Sequence, residues 1–226
     1  MPEKIQTITL ALPLGLGSVN CYLIQNENGY FLIDTGASNR GTQVHQALAQ
    51  AGCRRGDLKL ILLTHGDFDH TGNVAALHSQ YDAPVALHRD DLSMAEQGNM
   101  FSGRQTGNPV MNWVSARLFG FGKANRFSPD LFLDEDSDLS AYGLNVRVLS
   151  IPGHSRGSVA FLTAEGNLFS GDLLENLKEP VIGSIIDDLP AAQASIARLQ
   201  GLGAVTVYPG HGQPFSLADY TPTESK

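Results

Sequence analysis

A chain of 226 residues, 42% hydrophobic and 17% charged, carries enough apolar material for a well-buried core and is not of disordered composition. Its net charge of −8 works against a general affinity for nucleic acid or anionic membrane, and no apolar run approaches the roughly 20 residues that cross a bilayer. Cys21 and Cys53 are far apart and show no CxxC spacing; this excludes a disulfide framework or zinc knuckle and leaves both as reduced structural residues.

The first residues, Met1-Pro2-Glu3-Lys4, lack the basic-then-apolar order of a signal peptide, so a cytoplasmic location is the default expectation. Strands are expected at residues 5–12, 20–25 and 30–33, with Glu27-Asn28-Gly29 as the hairpin turn between the last two. A helix over about 40–51 comes next, with Ser38 or Asn39 as its cap, Val44, Ala47, Leu48 and Ala51 on one face, and Gly52 at its end. Residues 58–63 read as a buried strand, 73–81 as a helix and 84–87 as a strand. From Arg89 to Asp130 periodicity is weak, and Gly, Asn, Ser, Met and Phe accumulate around the single tryptophan, Trp113. Forty residues without a pattern are long for a plain connection and suggest a lid, an insertion or poorly spaced helices. Strands resume at 145–151, 159–163 and 168–170, a helix at about 190–200 has Pro190 in its first turn and Gly201 after it, and a last strand covers 204–208. Groups of strands separated by helices suit two packed sheets with helices outside, an α+β or layered α/β design. No Pro/Gly/Ser-rich linker divides the chain, so 1–226 is expected to form a single domain.

The chemistry lies at the strand ends. Leu60-Ile61-Leu62-Leu63 runs into Thr64-His65, and Ser150-Ile151 into Pro152-Gly153-His154. Phe169-Ser170 runs into Gly171-Asp172, and Val207-Tyr208 into Pro209-Gly210-His211. A sheet fixes the backbone of such endings while the tips stay accessible, and glycine allows the sharp turn. One histidine after one strand is more often a surface residue; four such endings among seven histidines point to a shared site. His45, His78 and His88 have no such placement and are assigned to solvent or packing. The segment His65-Gly66-Asp67-Phe68-Asp69-His70 supplies four metal-ligand side chains in six residues. Imidazole mixed with carboxylate suits zinc, iron or manganese, and the lack of cysteine ligands argues against a structural zinc site.

His65-x-Asp67-x-Asp69-His70, with His154, Asp172 and His211 further along the chain, resembles the metallo-β-lactamase superfamily of metal-dependent hydrolases. Asp34-Thr35-Gly36 after Phe31-Leu32-Ile33 is similar to that superfamily's early strand-turn motif, and the resemblance runs from about Val19 to Pro214. It implies a four-layer αββα sandwich with two divalent metal ions at one edge of the sheets. His65, Asp67 and His154 would hold the first metal, Asp69, His70 and His211 the second, and Asp172 would bridge them. Asp34 either supports this site through hydrogen bonds or forms a simple turn.

Asp67 departs from the family's His-x-His-x-Asp-His pattern. As a ligand it would make the first site harder and more anionic, favouring iron or manganese over the zinc otherwise expected. Too short to reach, it would leave a bridging water, a weak site, or a side chain turned to solvent. The implied activity is attack by a hydroxide held between two metals on an ester, thioester, lactone or amide-type bond, with Asp69 orienting it. Met94, Met100, Phe101, Met111, Trp113, Leu118, Phe119 and Phe121 either line an apolar pocket or pack helices onto the sandwich. As a group they suggest a small-molecule substrate with an apolar portion. An iron-dependent redox protein and a catalytically inactive binding module of the same fold are the competing readings. The oligomeric state is not legible.

Overall fold

The computed structural model describes residues 3–12, 15–104, 125–203 and 205–222. Six strands form the first sheet in sequential order: β1 (Lys4–Ala11), β2 (Ser18–Asn26), β3 (Gly29–Ile33), β4 (Leu58–Leu62), β5 (Val85–His88) and β6 (Leu131–Leu133). The β1–β2 and β2–β3 pairs are antiparallel and the remaining pairs parallel. The second sheet comprises β7 (Val146–Ser150), β8 (Val159–Thr163), β9 (Asn167–Gly171), β12 (Thr206–Pro209) and β13 (Phe215–Ser216), in the order β13-β12-β9-β8-β7. A separate hairpin joins β10 (Leu174–Asn176) to β11 (Pro180–Ile182).

Period-two alternation explains the layering. Along β2, Cys21 and Leu23 face outward onto α1 (Gly41–Gln50) and α3 (Val74–Tyr81), joining Val44, Leu48, Val74 and Leu77 in one apolar core. A short helix beyond β5, α4 (Leu92–Gln97), adds Ala95 to that core. Tyr22 and Ile24 face inward, where they meet Phe31, Ile33, Leu60, Leu62, Val148, Phe161 and Phe169 in a second core between the sheets. On the far side Leu149, Ile151, Leu168 and Val207 pack under Ala192, Ile196 and Leu199 of α5 (Leu189–Gln200). The outcome is helix, sheet, sheet, helix, the αββα sandwich that the strand grouping and the family resemblance imply. No helix among the described residues is long and apolar enough to cross a membrane.

Two local differences have simple causes. Ser38 and Asn39 do not cap α1; they belong to a 3-10 turn, Ser38–Arg40, that runs straight into the helix without a side-chain cap. Strands β6, β10, β11 and β13 went unread because two or three residues are too short to display a period. The α5 start matches expectation: the Asp188 carboxylate accepts from Ala191 N–H, with Pro190 in the first turn.

Both sheets end on the same side and are tied together there. Val159 N–H donates to Thr64 C=O across 2.9 Å, and Asn20 N–H donates to Gly210 C=O across 2.8 Å. Tyr22 Oη–H donates to Pro209 C=O at 2.5 Å. These bonds fix the ends of β4 and β12 relative to each other. Phe161 is fully buried between the sheets, and Phe161→Ala is expected to lose about 3–5 kcal/mol in urea unfolding. A loss below about 1 kcal/mol would contradict its place in the intersheet core.

Candidate metal centre

The loop after β4 carries His65 and Asp67 and runs into α2 (Phe68–Thr71), a single turn holding Asp69 and His70. His154 lies beyond β7, Asp172 beyond β9 and His211 beyond β12. All seven side chains come together at the shared sheet edge. Donor atoms of His65, His154 and Asp172 lie within 4.8 Å of one another, as do those of Asp69, His70 and His211. Asp172 sits between the two triads, with Oδ1 3.1 Å from His70 Nε2 and Oδ2 3.2 Å from His211 Nε2 and 3.8 Å from His65 Nε2. Asp67 Oδ2 is 3.1 Å from His154 Nε2 and 3.9 Å from His65 Nε2, so Asp67 faces the first triad and not solvent. Asp69 Oδ2 lies 3.6 Å from His211 Nε2.

What orients the imidazoles is the partner at each Nδ1. His70 Nδ1 faces Asp34 Oδ2 at 2.8 Å, His154 Nδ1 faces Ile185 C=O at 2.6 Å, and His211 Nδ1 faces Ser18 C=O at 2.7 Å. Thr64 Oγ1 donates to Asp34 Oδ2 at 2.8 Å, which leaves it to accept from His65 Nδ1 at 2.9 Å. All four acceptors call for a proton on Nδ1, so all four rings turn Nε2 inward. Asp34 thus supports two histidines, one directly and one through Thr64, while also accepting from Thr64 N–H at 2.9 Å. It does so at φ +59°, a left-handed conformation that Asp tolerates better than most residues, so turn and support are one feature. Asn73 clasps the same turn by donating from Nδ2 to the carbonyls of Thr35 and Ala37.

Two glycines are required by space. A Cβ on Gly210 would come within 2.0 Å of Asp172 Oδ1 and 2.7 Å of His70 Cε1. A Cβ on Gly153, at φ +146°, would fall 2.4 Å from Cα of Ala192 in α5. The glycines before ligand-type residues therefore let β12 approach the site and β7 pack under its helix.

Carboxylates and imidazoles set one another's protonation throughout the site. Burial pulls every imidazole toward its neutral form, yet the Asp172 and Asp34 carboxylates reverse this for His70, raising it well above its ordinary value. Burial likewise opposes, and Asp172 overrides, for His211, which is pushed up to about 9. Asp67 raises His154 in the same way. His65, buried beside His70 and His154, is driven down. Burial favours neutral carboxyls, but Arg104, His154 and His65 hold Asp67 far below the usual range, and His211 and His70 do the same for Asp172. Asp69 is raised, chiefly by burial. Meanwhile Nε2 of His65, Nε2 of His70 and Oδ1 of Asp172 are buried without a hydrogen-bond partner. Inward-facing imidazole nitrogens, two of them orphaned and all near carboxylates, fit divalent metal ions of the zinc, iron or manganese type.

Two residues escaped the sequence reading. Asp91, fully buried after β5, accepts from Gly66 N–H at 2.9 Å, Ser155 Oγ–H at 2.7 Å and Gly157 N–H at 3.0 Å, gripping the loops on either side of the first triad. Burial raises its carboxyl. The strand-end rule used for the histidines would have found it in His88-Arg89-Asp90-Asp91. Arg104, whose Nη2 donates to Asp67 Oδ1 at 2.9 Å, lies in a stretch without any pattern and gave no signal. His45, His78 and His88 lie apart from the site, with Nδ1 contacts to Tyr81 Oη, Ala83 C=O and Asp90 N–H respectively. Of the proposed apolar lining, Met94 and Met100 are buried and Phe101 is partly buried, whereas Met111, Trp113, Leu118, Phe119 and Phe121 fall in 105–124, outside the described residues.

Residues 14–211 match the family model described as the metallo-beta-lactamase superfamily. The chain belongs to that superfamily. Among curated relatives it is similar to the hydroxyacylglutathione hydrolase GloC of Haemophilus influenzae, 26% identical over 171 residues, or 72% of this chain and 70% of the relative. It is also similar to the acyl-coenzyme A thioesterase MBLAC2 of Bos taurus, 27% identical over 229 residues, or 87% of this chain and 74% of that one. Among solved structures, TTHA1623 in a di-iron-bound form is 33% identical, with a TM-score of 0.70 covering 92% of this chain and 95% of that chain. The superfamily fold and the grip of Asp91 on its loops give a test. Asp91→Ala strands three buried donors and should cost about 3 kcal/mol in thermal unfolding. It should also weaken metal binding about tenfold to a hundredfold in chelator competition; unchanged metal affinity would mean that Asp91 holds the fold alone.

Proposed function

We propose that this superfamily member, acting as one domain, is a metal-dependent hydrolase of ester, thioester, lactone or related carbonyl bonds in a small molecule with an apolar portion. The observation that carries this is the set of four imidazoles, each anchored at Nδ1 and turned inward, with His211 on the floor of an apolar cleft and the other three buried beneath it. That cleft has a volume of about 390 Å³; Asp67, Asp69, Asp172 and His211 form its floor, and Leu12, Leu16, Met100, Phe101, Leu177 and Ile185 its walls. Leu16, Leu177 and Ile185 are each half-exposed or more and together form an apolar rim of the kind that marks ligand-binding grooves. No lysine or arginine among the described residues lines the cleft, which disfavours a strongly anionic substrate and hence nucleic acid.

His65, Asp67 and His154 would hold one divalent ion and Asp69, His70 and His211 the other, with Asp172 shared, and such ions lower the pKa of a bound water from about 15.7 toward 7 and polarise a carbonyl. Around them the protein's own groups do the positioning. Asp34 and Thr64 keep the His65 and His70 lone pairs aimed at the site. Asp69, buried and at the cleft floor, orients the attacking water, holds the proton it releases and returns it to the leaving group as the carbonyl–heteroatom bond breaks. The apolar walls exclude bulk water from the acyl arm and align it against the floor. The hydrolase and thioesterase names of the two curated relatives support a thioester or ester as the first choice of substrate.

Elemental analysis of protein purified without added metal, paired with a panel of thioesters, esters, lactones, β-lactams and phosphodiesters, tests this reading. Turnover of acyl substrates that improves with acyl length and is abolished by a chelator is expected. The chelator should also lower the melting temperature, because metals bind the folded state preferentially. His70→Ala should lose metal and reduce kcat/KM by more than about a hundredfold. Wild-type metal content and turnover in that variant would sink the assignment, and stoichiometric iron with no hydrolysis would favour the redox reading. Leu177→Asp should raise KM for long acyl chains about tenfold with kcat little changed.

A further inference from the structure

We infer that Arg104 is a resident cation of the first triad, so that the two metal positions bind unequally and the Asp69–His70–His211 side fills first. This rests on the metal reading above.

The Arg104 side chain is 1% exposed. Its Nη2 donates to Asp67 Oδ1 at 2.9 Å and lies 3.3 Å from His154 Nε2, the atom that the Ile185 carbonyl turns toward the site. Its Nε lies 3.1 Å from Asp187 Oδ2 on the opposite side, and Nη1 has no hydrogen-bond partner among the described residues. A guanidinium does not deprotonate in a protein, so this positive charge is permanent. It therefore repels a cation at the first triad and occupies one oxygen of Asp67, whose other oxygen still faces His154 and His65. The second triad has no such neighbour: Asp34, Asp172 and the Ser18 carbonyl are the partners of His70 and His211. No lysine or arginine touches Asp69, His70 or His211 among the described residues.

The direction of approach matters too. Arg104 lines a separate small cavity of about 110 Å³, together with Asp91, Ser155, Arg156 and Asp187, and not the apolar cleft. It reaches Asp67 from behind, so a substrate entering the cleft does not displace it. The Asp67–Arg104 pair is net neutral, as a single imidazole would be, which explains how a carboxylate is tolerated at this place beside Asp69 and Asp172. The pair keeps the charge of the usual histidine but puts its positive end next to His154.

Competition titration of the metal-free protein with a chromophoric chelator, using zinc and then cobalt for its visible spectrum, reads the two steps directly. The wild type should take one ion at least about tenfold more tightly than a second. Arg104→Gln should tighten the weaker step at least about tenfold and leave the stronger within about threefold, while Arg104→Lys, which keeps the charge, preserves the inequality. A purely structural Arg104 would instead loosen binding on replacement. His211→Ala should remove the tight step and His154→Ala the weak one; this arm decides the order of filling even if the Arg104 variants do not fold. Equal steps in the wild type, an unchanged or looser weak step in Arg104→Gln, or loss of the tight step in His154→Ala would overturn the inference. Absence of any tight metal would instead remove the hydrolase reading on which it rests.

Discussion

Four histidine rings converge because something else claims the far nitrogen of each. Asp34 is central to this constraint. Its carboxylate takes the Thr64 amide, the Thr64 hydroxyl and His70 Nδ1, so one buried side chain sets the loop after β4, the ring of His70 and, through Thr64, the ring of His65. The backbone cost of its left-handed conformation is small beside the hydrogen bonds it organises, and Asn73 closes the turn from the other side. The remaining two rings rest on main-chain carbonyls, one at Ile185 in a loop and one at Ser18 where β2 begins. The site is therefore assembled from both sheets, and the cross-sheet bonds at Thr64, Gly210 and Pro209 are what keep its halves in register.

Charge is the second constraint. Asp34, Asp67, Asp69, Asp91 and Asp172 are all buried or nearly so within one region. Isolated buried carboxylates are too costly to persist, so each must be paired or densely hydrogen-bonded. Asp91 uses three donors and Asp34 three more, while Asp67, Asp69 and Asp172 share imidazoles and Arg104. The upward shifts of His70, His154 and His211 express the same balance from the other side: the neighbouring carboxylates favour protons on these imidazoles. Divalent ions would compete with those protons, which would link metal binding in such a site to pH and to folding.

Much of this was legible in the sequence because the site obeys a local rule. A ligand-type residue stands just past the end of β4, β7, β9 or β12, after glycine in three of four cases, and the apolar runs that define those strands are short and clear. The three cores arise from period-two alternation in β2 and β4 of the first sheet and in β7 and β9 of the second, together with the apolar stripes of α1, α3 and α5. What stayed hidden has no local signature. Strands of two or three residues exist only through their partners. Asp34 presented two readings, turn or support, and only the positions of Thr64 and His70, some thirty residues on, show that it is both. Arg104 lies 37 residues from Asp67, in a loop whose composition announces nothing.

Asp67 shows why the distant partner matters more than the substitution. Taken alone, a carboxylate where the family resemblance leads one to expect an imidazole adds a negative charge and shortens the reach, and from the sequence both a coordinating side chain and one turned to solvent stood open. With Arg104 bonded to one oxygen and the other turned toward His154 and His65, the added charge is cancelled where it arises and the side chain is held facing the triad. A carboxylate–guanidinium pair is not an imidazole, however. Its neutrality is the sum of two full charges separated by a hydrogen bond, so His154 meets both the carboxylate and the guanidinium, whereas His65 is approached by the carboxylate alone. The asymmetry between the two halves of the site thus comes from geometry that a motif cannot encode: the same residue letters without Arg104 behind them would describe a more anionic site.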